Sequence, residues 1–258
     1  MRGPRVAAIF RAMTTPDTNA PNQAETAPQA RPGEASGFEH IDTWIFDLDN
    51  TLYPASCRLF DQVERLIGAY VARHLKVDAA EAYRLQKLYF REYGTTMNGL
   101  MLRHGVDPHD FLDFVHEIDL SPVLPSPALA AALAGLPGRK LIYTNGSVAH
   151  AERVMDRLGV REHFFDVFDI VAGNFVPKPQ APSYRALIER HGIEPRRAAL
   201  FEDLPQNLEP AAAMGMVTVL VRTDSPWAQA GSDGDHIHHV TDDLAGWLAG
   251  MLERLPPR

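Results

Sequence analysis

The chain has 258 residues, 45% hydrophobic and 22% charged, enough to bury one substantial core and a smaller second one. Twenty-five Lys and Arg against 33 Asp and Glu leave a formal charge of -8, and the basic residues are scattered, which speaks against a nucleic acid polymer or an anionic membrane as partner. Cys57 is the only cysteine, so an intrachain disulfide and a thiolate-rich metal site are excluded and a reducing, cytoplasmic setting is expected.

Residues 1–37 are rich in Ala, Pro, Thr and Gln without apolar periodicity and read as a disordered tail. Arg2, Arg5 and Arg11 faintly resemble a transit peptide, but a dispensable tail is the simpler reading. No apolar run in the sequence approaches the roughly 20 residues that span a bilayer. Order is expected from Ile41, where Thr43-Trp44-Ile45-Phe46 predicts a buried strand that ends in the polar turn Asp47-Leu48-Asp49-Asn50-Thr51.

From Cys57 to Leu120 no comparable strand occurs. Leu59, Val63, Leu66, Ile67 and Val71, then Leu85, Leu88 and Tyr89, then Phe111, Leu112, Phe114 and Val115 recur at helical spacing. An insertion of this length predicts a helical cap domain over 57–120, set over the sheet's carboxyl edge, with the core domain formed by 38–56 and 121–258. Tyr83, Tyr89, Tyr93, Phe111 and Phe114 read as the cap's own core. The Gly-flanked polar run holding Thr95, Thr96 and Asn98 reads as a surface loop able to face a substrate.

The proline-punctuated stretch Ser121 to Pro127 returns the chain to the core, where strand signals recur at 140–143, 167–172, 199–201 and 217–221. Helical patterns fall between them, from Val148 to Leu158, Pro182 to His191 and Pro205 to Met214. Each is followed by a glycine placed to close a helix: Gly159, Gly192 and Gly215. Alternation of this kind predicts a doubly wound, Rossmann-type parallel sheet covered on both faces.

Parallel strands point their polar ends at one rim: Asp47 and Asp49, Thr144 and Asn145, Lys178, Glu202 and Asp203. Carboxylates converging without Cys or His make a hard-oxygen site suited to Mg2+ rather than zinc. A lysine and a threonine hydroxyl beside them suit a phosphoryl group. In such a site Asp47 is placed to attack phosphorus, and Asp49, two residues on, to protonate the leaving oxygen and later deprotonate water.

The runs Phe46 to Leu52, Tyr143 to Gly146, Val176 to Pro179 and Phe201-Glu202-Asp203 resemble the four ordered motifs of the haloacid dehalogenase superfamily, over about Ile41 to Leu255. The resemblance implies Asp47 as nucleophile, Asp49 as acid and base, and Thr144 with Lys178 holding phosphate. It further implies Mg2+ bound by Asp47, the main-chain carbonyl of Asp49, and Asp203; Glu202 stands where many members have Asp.

Within the superfamily, DLDNTLYP, the run Tyr93 to Leu100, the run Phe111 to Leu120, and Asn145-Gly146-Ser147 with His150-Ala151 resemble the pyrimidine 5'-nucleotidase branch. This implies a phosphatase of nucleotide metabolism acting on a small phosphomonoester, as monomer or homodimer, with Asn145 and Gly146 among the substrate-binding residues. A sugar-phosphate phosphatase or phosphomutase on the same scaffold, and a non-catalytic phosphate-binding module, are the alternatives; Asp49 has no use in dehalogenation. His236, His238 and His239 read as a solvated strand rather than a metal site, and His150 as an exposed residue in the first turns of a helix. Asn207 reads equally as an orienter of the metal shell or as a surface amide.

Overall fold

The computed structural model describes residues 37–224 and 231–255; apart from Gly37, the expected tail lies outside them. Six parallel strands form one sheet: β1 (Thr43–Phe46), β2 (Arg139–Tyr143), β3 (Asp166–Phe168), β4 (Ala198–Glu202), β5 (Val217–Val221) and β6 (His239–Thr241), in the order β3-β2-β1-β4-β5-β6. The order reverses between β1 and β4, and open α/β sheets bind ligands in the crevice beyond such a switch point. Thr43 to Phe46 pair in register with Arg139 to Ile142 on one side and Ala198 to Phe201 on the other, so β1 is central and fully buried.

Alternation along β1 divides the core in two. Trp44 and Phe46 point to a cluster closed by α5 (Pro127–Gly135), α6 (Val148–Leu158) and α9 (Leu244–Arg254), whereas Ile45 points to one closed by α7 (Ala181–His191) and α8 (Pro205–Ala213). Phe46 stacks on Phe201 at 4.6 Å between centroids, and Trp44 donates its indole N–H to the carbonyl of Pro137. Burying each such ring contributes about 1.5–3 kcal/mol, which fixes the strand whose end carries Asp47. Gly159 and Gly192 close α6 and α7 in left-handed conformation, as their placement predicts.

The third strand is shorter than 167–172. Asp169 accepts from the backbone N–H of Val148 and of Ala172, so its carboxylate turns the chain immediately after Phe168. Between β1 and β2 the chain forms α1 (Leu59–Leu75), α2 (Ala79–Tyr93), α3 (Thr96–His104) and α4 (Pro108–Val115), packed around their own buried cluster. Tyr70 and Phe111 lie inside it, 5.1 Å apart edge to face. Ile170, Val171 and Phe175 join the same cluster, so the insertion seats on the loop that follows β3. Among the described residues no helix is long and apolar enough to cross a membrane.

Candidate active site

Asp47 follows β1 directly, its N–H still bonded to Phe201 O on β4, while Glu202 ends β4 and Asp203 follows it. One carboxylate oxygen from each of the three lies within 4.8 Å of the others, and all three are buried. Glu202 is spent on holding the loop: Oε1 accepts from Lys178 Nζ and Asn207 Nδ2, and Oε2 from the N–H groups of Asp203 and Leu204. Asn207 is 3% exposed, so its amide orients the carboxylate cluster and is not a surface group. Burial, the charges of Glu202 and Asp47, and a hydrogen bond to the Glu202 carboxylate push Asp203 well above the usual carboxylate range. Burial and the Glu202 charge likewise push Asp47 up to about 7 against the pull of Lys178.

Three buried carboxylates face a single ammonium, leaving surplus negative charge. An all-oxygen donor set of this charge fits Mg2+ and lacks the sulfur and nitrogen that zinc prefers. Asp47 and Asp203, with Glu202 behind them, are the side chains able to hold it.

Lys178 Nζ donates to Asp47 Oδ1 at 2.7 Å, to Tyr143 O at 2.9 Å and to Glu202 Oε1 at 3.0 Å, which uses all three of its N–H bonds. Burial opposes its charge, but Asp47 and Glu202 outweigh burial and keep the ammonium charged. Thr144, the residue after β2, accepts the Gly146 N–H on Oγ1 at 2.9 Å, which leaves its own O–H available as a donor. Asn145 spends both amide atoms on one residue: Oδ1 accepts from Lys178 N at 2.9 Å, and Nδ2 donates to Lys178 O at 3.3 Å. It ties the β2 loop to the lysine loop. At Gly146 a Cβ would sit 3.3 Å from Thr144 Oγ1 and 3.6 Å from His116 Nε2, so the loop has little room for a side chain.

Asp49 Oδ1 accepts from Tyr53 Oη at 2.5 Å and meets His150 Nε2 at 2.8 Å. Burial raises its pKa, but His150 and Tyr53 outweigh burial and bring it to about 2, so the carboxylate is ionised in the free site. His150 is wholly buried, contrary to the exposed residue expected, because α6 buries positions 150, 151, 154, 155 and 158 as one stripe. That spacing was the readable signal. Tyr53 and His116 were not singled out as site residues; His116 lies after α4 and stacks on His150 at 4.4 Å with an 8° tilt.

The run holding Thr95, Thr96 and Asn98 is a helix start, not a surface loop. Thr95 caps α3 by accepting from Asn98 N, Thr96 Oγ1 donates to Gln86 O, and Asn98 Nδ2 donates to Tyr93 O. Gly94 beside them lies against Pro177 and Gln180, so the segment packs beside the lysine loop while its polar side chains are engaged locally. His236 faces Pro205 O and His238 bonds Thr218; among the described residues neither joins a metal-ligating cluster.

A family model described as haloacid dehalogenase-like hydrolase matches residues 41–215. Phosphate metabolism protein 8 of Saccharomyces cerevisiae is 28% identical over 69% of this chain, and the match spans 60% of that protein's length. Glyceraldehyde 3-phosphate phosphatase of Methanopyrus kandleri is 30% identical over 70% of this chain and 84% of its own. Fructose-1-phosphate phosphatase YqaB of Escherichia coli is 31% identical over 72% of this chain and 98% of its own. The crystal structure of a HAD phosphatase from Thermococcus onnurineus shares the fold, with TM-score 0.57, 16% identity, and coverage of 83% of this chain and 99% of that one.

Proposed function

Because the chain belongs to the haloacid dehalogenase-like hydrolases, we propose that it is a phosphomonoesterase that passes the phosphoryl group first to Asp47 and then to water. The observation that carries this reading is the buried Asp47-Glu202-Asp203 cluster facing one lysine, with a fourth carboxylate, Asp49, held beside it. Mg2+ bound by Asp47, Asp203 and the Asp49 main-chain carbonyl would neutralise the charge that otherwise repels a phosphate from three carboxylates. Thr144 Oγ1–H meets a phosphoryl oxygen, and Lys178 joins it by releasing one of its three internal bonds.

An Asp47 oxygen attacks phosphorus as the ester P–O bond breaks. Asp49, ionised in the free site, takes a proton from the phosphate ester arriving as its monoanion and gives it to the leaving oxygen, then takes one from the water that attacks the aspartyl phosphate and frees Asp47 and inorganic phosphate. The insertion over 57–120 serves as a cap domain over a core of 38–56 and 121–258, excluding bulk water while the acyl phosphate lasts.

Small sugar phosphates are the substrates this reading puts first. Two relatives carry the names of sugar-phosphate phosphatases, and Thr95, Thr96 and Asn98, expected to face the substrate, have their side chains engaged within the insertion. The second reading, a pyrimidine 5'-nucleotidase, rests on DLDNTLYP, the runs Tyr93 to Leu100 and Phe111 to Leu120, and the Asn145-Gly146-Ser147 run with His150-Ala151. Phosphate release from sugar phosphates, UMP, CMP, dTMP and AMP, with and without Mg2+, separates them. Sugar phosphates turned over ahead of nucleotides support the first reading, and the reverse order supports the second. Asp47→Asn should lose at least about a thousandfold in kcat. Turnover surviving in that variant would end the aspartyl-phosphate mechanism.

A further inference from the structure

Asp49 is gripped by one oxygen only. Tyr53, from the turn after β1, and His150, from α6 after β2, both bond Oδ1, and no described residue bonds Oδ2. His150 is 0% exposed, and its Nδ1 is buried without a partner. An imidazole placed there for packing alone would be a poor choice, since an apolar side chain fills the space without an orphaned nitrogen. The one polar bond the ring makes is to Asp49. The ring is braced in turn: His116 stacks on it, His116 Nδ1 meets Ser147 Oγ at 3.1 Å, and the His116 carbonyl accepts from Arg153 of α6.

We propose that Tyr53 and His150 are positioning residues that clamp Asp49 through Oδ1, so that Oδ2 alone carries the proton exchanged with the leaving group and with water, with His116 as the brace of the clamp. The inference rests on the phosphomonoesterase reading above and adds to it which oxygen moves the proton and what holds it there. An oxygen that already accepts two hydrogen bonds is a poor seat for a proton, so the clamp selects Oδ2 in the protonated state and stops the carboxylate from rotating in both states. Tyr53 is four residues beyond Asp49 in sequence, whereas His150 is 101 residues away, so the grip joins the turn after β1 to helix α6.

The clamp matters where the leaving oxygen needs a proton and much less where it does not. The test is kcat/KM, which covers the steps through transfer to Asp47, measured on glycerol phosphate or a sugar phosphate and on p-nitrophenyl phosphate, whose phenolate departs unprotonated. His150→Phe, which keeps the stacked ring and loses the donor, should fall about tenfold or more on the alkyl ester and less than about threefold on the aryl ester. His150→Gln, with an N–H near the same place, should recover most of the loss. Tyr53→Phe should repeat the pattern more weakly and serves as the second variant if His150→Phe fails to fold, as circular dichroism will show. Equal losses on both esters, or a Gln variant no better than Phe, overturn the clamp while leaving the phosphomonoesterase standing. Wild-type protein inactive on every ester with Mg2+ overturns both.

Discussion

Asp203 is the residue whose environment most asks for a cation: it is buried next to two further carboxylates. Removing its charge should therefore act in opposite directions with and without metal. In EDTA, Asp203→Asn should melt at the same temperature as wild type or higher, because a buried repulsion is gone. With Mg2+ at 100 times its Kd the wild type should gain about 2.7 kcal/mol, roughly 5–10 °C, and the variant little of it. Thermal unfolding of both proteins under both conditions checks this, and parallel curves would rule out Asp203 as a ligand. That the carboxylates and Thr144 gather at one rim was legible because each sits at the polar end of a strand signal, and Lys178 in the turn after the third signal meets Asp47 there. Tyr53 and His116 were not, since a tyrosine after a turn and a histidine at a helix end look the same in sequence whether they touch Asp49, stack on its partner, or touch nothing.

Among the elements, the helices with strong periodicity were legible: α6 and α7 end at their glycines, and α1, α2 and α4 fall on the apolar spacings. Helix α3 was missed because Thr95, Asn98 and Gly99 are weak helix formers and the capping role of Thr95 shows only once the chain is folded. What holds α3 is a close approach to α2. A Cβ on Gly99 would stand 2.4 Å from Tyr89 Cβ and Cγ, both near the backbone and unable to swing away. Gly99→Ala should therefore destabilise by about 1–3 kcal/mol despite the better helix propensity of alanine, and urea unfolding measures it. A neutral or stabilising result would mean that the two helices are free to separate.

At the scale of the whole molecule, the doubly wound sheet was legible because buried parallel strands read as short apolar runs, while β6 at the edge, with Val240 exposed, lacks that signature. Acid lability should follow from the buried junction between insertion and sheet. Burial, with the His150 charge, holds His116 down at about 3, against 6.5 in an unfolded chain. Between these values the unfolded state takes up a proton that the folded state refuses, so stability falls as pH drops through the window. The cost between pH 7 and 5 is about 1–2 kcal/mol. His116→Phe, which cannot take that proton, should lose less melting temperature over the same range, and an identical loss would acquit the histidine.

The β1–β4 pairing has a further consequence. Since the acidic ligands leave from adjoining central strands whose Phe46 and Phe201 stack, a captured ion would work as a rivet through the middle of the molecule, out of reach of fraying at the margins. Native-state hydrogen exchange should then show Mg2+ slowing the amides of Phe46 and Phe201 by the full gain in global stability, and those of α2 by less. Protection confined to the loop tips would place the rivet elsewhere.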